Sequence, residues 1–346
     1  MPHAVLVDGV QINAEQRGTT TMTATTSASV TAADEVLFTA SASSTADLSK
    51  TALLSDPLLS REFIVAGGRW RTVSYHELPD WLKDNELILN HHRPQLFTFA
   101  QCIESIFRIH SETGNIWTHL VGWLAFLAVC VATFSYHLGD YPWEDHACFA
   151  AFFVGLLVCL SMSTTFHTVC CHSVNVAAVF SRFDYAGISM LIVGSTIPFL
   201  YYAFKCNTVV RYTYTGICVF LGTACIIISI LPRFDTPRFR VHRMVTFLSF
   251  GVSGIVPGIH CIVVSGFMFQ VEAAGIGYML LMGALYITGA VLYAARIPER
   301  FFPGKCDLIF QSHQIFHVLV LAAASVHFYG LLRAAEYHHT HDTCVA

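Results

Sequence analysis

Charge is scarce in this sequence. Of its 346 residues 12% are Asp, Glu, Lys or Arg, where a soluble domain carries about 25%. With 54% hydrophobic residues and a mean hydropathy of +0.56, the shortage excludes an ordinary water-soluble fold and makes lipid the expected solvent. A net charge of -4 gives no basic surface for nucleic acid. No Asn-x-Ser/Thr sequon occurs, and no apolar run follows a basic start in the first fifty residues, so no cleavable signal peptide is expected. Cysteine is not lacking, at 12 residues, but Cys130, Cys159, Cys218, Cys225 and Cys261 fall inside apolar blocks. No disulfide framework is expected from them.

The polar residues concentrate ahead of residue 116. Residues 1–67, rich in Thr, Ser and Ala, read as a disordered tail with too few large apolar side chains for a core. Residues 68–115 form a juxtamembrane region. Its stretch from Phe97 to His110 places Phe99, Ile103, Ile106 and Phe107 at helical spacing, which predicts an amphipathic helix on the membrane surface. Residues 116–332 then hold seven segments free of Asp, Glu, Lys and Arg: Ile116 to Tyr136, Ala147 to Val169, Tyr185 to Phe204, Tyr212 to Leu231, Met244 to Val264, Gly275 to Ala295 and Gln314 to Leu332. At 1.5 Å per residue each spans a hydrocarbon core of about 30 Å. The fold class expected is all-α and integral to the membrane, with residues 333–346 as a short tail.

Orientation follows from basic residues near the span ends. Arg93, Arg108, Arg182, Arg233, Arg238, Arg240, Arg243, Arg296, Arg300 and Lys305 lie on the amino-terminal side, against Lys205, Arg211 and Arg333 on the other. The bias puts the amino terminus in the cytoplasm and, after seven crossings, the carboxy terminus outside. That is the reverse of the G-protein-coupled receptors, whose Asp-Arg-Tyr and Asn-Pro-x-x-Tyr motifs are missing.

The ionisable residues at membrane depth are mostly histidines, and such residues are functional candidates because burying them in hydrocarbon costs several kcal/mol. His167 closes the second span, Asp184 opens the third, and His313 and His317 open the seventh on one helix face. All four share one depth. Any one of these histidines alone reads as a hydrogen-bonded helix-end residue, but three imidazoles with an open position make a ligand set for catalytic zinc. Asp184 would hold or deprotonate the water, and Ser163, one turn before His167, would donate to a ligand or a substrate carbonyl. Depth does not exclude His119 or His172; Cys170 and Cys171 offer thiolates but read as small helix-end residues. His260 and His327 read as packing residues nearer the outer ends, and His338, His339 and His341 as an exposed tail. Gly251, Gly254, Pro257 and Gly258 permit a kink in the fifth span, as does Pro198 in the third.

Several runs resemble the progestin and adipoQ receptor family, adiponectin receptor branch. They are Leu78 to Asn85, Ser105 to His110, Glu112 to His119, Phe166 to Val169, Asp184-Tyr185, Ile297 to Gly304 and His313 to His317. The resemblance covers roughly residues 68–330. It implies a seven-helix receptor of the cell membrane with zinc held by His167, His313 and His317, chosen over His119 and His172. It also implies Asp184 as the carboxylate holding water and Ser163 as the serine of a Ser-x-x-x-His motif. Signalling in lipid and glucose metabolism and hydrolysis of ceramide-like lipid amides are further implications. An extracellular protein hormone and a homo-oligomer are the partners it allows. Cys170 stands where close relatives are expected to carry an aromatic, and the short His-rich tail departs from the pattern as well. Against the hydrolase stands a receptor whose zinc is purely structural. A transporter fits less well, because the ionisable residues do not form a relay across the membrane.

Overall fold

The computed structural model describes residues 64–65, 69–231, 240–341 and 344, all within the unit of residues 56–346. The tail expected over residues 1–67 therefore lies outside the described residues, except for strand β1 (Ile64–Val65), which pairs antiparallel with β2 (Arg69–Trp70). Arg233 and Arg238 of the charge count also lie outside.

Seven helices are long and apolar enough to cross a membrane. Helix α1 (Phe99–Ser105) precedes them. The spans are α2 (Thr113–Ala132, continued as one π turn to His137), α3 (Trp143–Val169), α4 (Val174–Ala203), α5 (Thr208–Ile230), the pair α6 (Arg240–Ser253) and α7 (Ile255–Ser265), α9 (Ile276–Ala295) and α10 (Ser312–Thr340). The short helix α8 (Phe267–Ala273) joins α7 to α9. Antiparallel succession places the ends of α3 and α9 and the starts of α2, α4 and α10 on one face of the bundle, here called the amino-terminal face.

Local chemistry sets these boundaries. Ser173 Oγ accepts the Val176 N–H at 3.4 Å and starts α4, well before the expected Tyr185. Charge keeps Arg182 and Asp184 out of hydrocarbon but not out of a helix, so both lie in its first turns. For the same reason α10 runs past Leu332 to Thr340, with Arg333 and Glu336 paired at 2.6 Å, so most of the segment read as a tail is helical. The interfacial helix is shorter than expected. It stops at Ser105, whose hydroxyl turns back to Cys102 O at 2.6 Å and whose carbonyl accepts from His110 Nε2 at 3.0 Å. Phe99, Ile103 and Phe107 nonetheless stay exposed. The fifth span breaks between α6 and α7 at Gly254.

The absence of a disulfide framework needs correcting by one bond. Cys206 and Cys344, 138 residues apart, form a disulfide. Both lie outside the apolar blocks on which the expectation was based. The other cysteines are free thiols.

Candidate metal centre

Small residues bring the site-bearing helices together. A Cβ on Gly155 of α3 would stand 2.5 Å from Met190 O, and one on Gly194 of α4 would stand 2.5 Å from Ala151 O. Hydrogen at both positions lets the two backbones touch. This packing sets the inward face of α3, with Ser163 and His167, against α4 and Asp184.

At the amino-terminal face, His167, His313 and His317 present one ligand nitrogen each within 4.8 Å of one another. Their rings stand nearly edge to face, with centroids 4.9 Å apart for His167 and His313, 5.0 Å for His167 and His317, and 4.8 Å for His313 and His317. A metal tests well against this set. A carboxylate can only accept, so His167 Nδ1–H donates to Glu112 Oε2 at 2.7 Å, which leaves Nε2 as the basic nitrogen. That Nε2 is buried and has no hydrogen-bond partner. A desolvated, unsatisfied lone pair beside two other imidazoles is costly without an electrophile. His317 is oriented in the same way, with Nδ1 donating to Asn115 O at 3.2 Å and Thr118 Oγ1 at 3.2 Å from the same nitrogen.

The other expected site residues divide. Asp184 shares a side-chain hydrogen bond with Ser163 and lies within electrostatic reach of His167, but it is not one of the gathered ligands. His119 lies flat on His317, ring centroids 3.6 Å apart, stacking where a ligand would point a nitrogen. His172 stacks on Phe99, at 4.4 Å. Cys170 donates to His167 O at 3.6 Å, and Cys171 lies 4.0 Å from Cys102. Away from this face, His260 meets the Tyr214 hydroxyl at 3.0 Å and His327 packs on Phe152. His338 is buried against Tyr202 rather than exposed.

Two residues were not foreseen. Glu112 is the hydrogen-bond partner that orients His167, in the pattern by which carboxylates fix metal-binding imidazoles. Burial would raise its carboxyl, but the hydrogen bond from His167, the Arg93 charge and a hydrogen bond from Asn115 hold it below the ordinary carboxylate range. Arg93, itself 3% exposed, donates to Ser105 Oγ at 2.8 Å, to Thr168 O at 2.9 Å and to His167 O. Glu112 carried a usable signal, since it stands four residues before Ile116, the expected start of the first span, on the same side as Asp184. Arg93 carried none beyond its sign.

Comparison with known proteins agrees with this architecture. Residues 107–328 match the Haemolysin-III related family. The chain belongs to that family. Among its relatives, the adiponectin receptor protein of Drosophila melanogaster is 46% identical over 275 residues, covering 80% of this chain and 62% of the relative. The progestin and adipoQ receptor-like protein 1 of Caenorhabditis elegans is 45% identical over 267 residues, 77% and 62% of the two chains. The heptahelical transmembrane protein 4 of Arabidopsis thaliana is 35% identical over 338 residues, 75% and 87%. The chain thus spans less than two thirds of the first two relatives. As a Haemolysin-III related protein of the adiponectin receptor-like type, it is a multi-pass membrane protein carrying a buried histidine triad that could bind a metal.

Proposed function

We propose that this protein is an adiponectin receptor-like receptor of the cell membrane whose triad holds zinc and hydrolyses ceramide-like lipid amides. One observation carries the reading: the His167–His313–His317 cluster, with His167 Nε2 left bare by the Glu112 hydrogen bond. Three imidazoles with no fourth protein ligand gathered among the described residues match the donor set of a catalytic zinc. Bound there, zinc supplies Lewis acidity that acidifies water and polarises a carbonyl. Asp184, beside the triad and outside it, is the group able to take a proton from water. Ser163, 2% exposed, stands beside that carboxylate and has one hydroxyl proton to give, to Asp184 in the resting site or to a lipid carbonyl when substrate is bound. The released fatty acid would serve lipid and glucose signalling, and an extracellular protein hormone is the proposed stimulus.

Asp184→Asn tests the chemistry. The variant should fold and retain zinc while fatty-acid release from a ceramide falls at least about 100-fold, the usual scale for losing a general base. Unchanged release would sink the hydrolase. The second reading, zinc as a clamp without chemistry, rests on the triad joining α3 to α10. It expects stable Asp184→Asn protein to signal normally.

A further inference from the structure

The turn that presents His313 is held by a carboxylate from outside it. The first N–H groups of a helix have no partner within the helix, and Gln311, the residue at the cap position, gives its side chain elsewhere. Its Nε2 donates to Ser111 O at 2.9 Å and to Asp307 O at 2.8 Å. The cap is supplied by Glu299, 1% exposed, from the connection between α9 and α10. Its Oε2 accepts Ser312 N–H at 2.8 Å and its Oε1 accepts Ser312 Oγ–H at 2.5 Å. A carboxylate here also complements the positive end of the α10 dipole.

The same carboxylate reaches the juxtamembrane region. Asn85 Nδ2 donates to Glu299 Oε1 at 3.1 Å, and Asn85 is itself held by the Leu87 N–H on its Oδ1 at 3.1 Å. Asp307 repeats the stitch, accepting Leu89 N–H at 3.0 Å, Asn90 N–H at 2.9 Å and Asn90 Nδ2 at 3.0 Å. Glu299, Asn85, Glu112, Asn115 and His313 line one polar cavity of about 60 Å³.

We propose that Glu299 is a positioning residue for the metal, fixing the first turn of α10 and clasping it to the juxtamembrane region so that His313 is presented in place before the ion arrives. This rests on the triad holding a metal. Without Glu299 the N-terminal turn of α10 loses its cap and its tether, while His317, one turn deeper, keeps its bonds to Asn115 and Thr118. His313 then stands on an uncapped turn and is less well placed before the metal binds, and affinity falls.

The test measures zinc Kd by chelator competition on the purified full chain, together with thermal midpoints in chelator and in zinc. Glu299→Ala should weaken zinc by about 10–100-fold, the range for partners behind metal ligands. Glu299→Gln, which keeps one acceptor oxygen, should fall between that and wild type. Asn85→Ala, which leaves the cap intact, should shift Kd the same way by less and guards against misfolding of the Glu299 variants. The stabilisation gained on adding zinc should shrink in the same order. Folded variants with wild-type Kd, or midpoints lowered equally with and without zinc, would overturn the positioning role alone. A wild-type chain that binds no zinc would overturn the metal reading and this proposal with it.

Discussion

His110 shows how single residues tie the site to its surroundings. It is fully buried. Its Nε2 donates to Ser105 O at 3.0 Å, and its Nδ1 accepts the Glu112 N–H at 3.1 Å. The neutral imidazole satisfies both bonds, while a second proton on Nδ1 would face the Glu112 N–H. Burial first, and the Arg93 charge next, push its pKa down to about 4. A folded pKa below the unfolded value near 6.5 means that the unfolded chain binds more protons between those limits, so stability rises with pH from about 4 to 6.5 and is lost as pH falls through that window. The ceiling is on the order of 3 kcal/mol, from 1.36 kcal/mol per unit. A pH series of thermal midpoints should show this loss in wild type and a flatter profile in His110→Gln. Equal slopes would remove His110 as the acid-sensitive group.

Among elements, the contact between α3 and α4 decides where His167 and Asp184 meet. Gly155 and Gly194 sit Cβ-free against each other's backbone, so any side chain there must separate two helices and not merely turn a rotamer. Gly194→Ala should cost about 1–3 kcal/mol, the usual range for overpacking, and should lower the midpoint in detergent. Gly216→Ala in α5, where a Cβ meets nothing within 4 Å, is the matched control expected to be silent. A silent Gly194→Ala would mean that the helices are not held at backbone contact. Spans and glycines were legible in the sequence, but the pairing of Gly155 with Gly194 was not, because glycines also occur at sites such as Gly216 that touch no neighbour.

Across the whole molecule, the two faces differ in thiol chemistry. Free Cys102 and Cys171 lie within 4.0 Å near the triad, while Cys206 is joined to Cys344 beyond the opposite ends of α4 and α10. Disulfides persist in oxidising compartments and thiols in the cytosol. Together with the basic-residue bias, this gives the prediction that the amino terminus lies inside the cell. Intact cells treated with a membrane-impermeant reductant and then an impermeant maleimide should be labelled at Cys206 and Cys344. Labelling that appears only after permeabilisation would reverse the orientation.

Composition and periodicity alone determined that the chain crosses a membrane seven times and that His167, Asp184, His313 and His317 share a depth, because hydrocarbon excludes charge and a helix rises by a constant amount per residue. Depth is one coordinate. It could not separate His119 from the triad, since a stacked ring and a ligating ring can occupy the same level. Only the tertiary structure, by fixing rotation about each helix axis, placed His119 on the face of His317 and gave His167 its Glu112. It likewise brought Glu299 and Asn85, 214 residues apart, together behind His313.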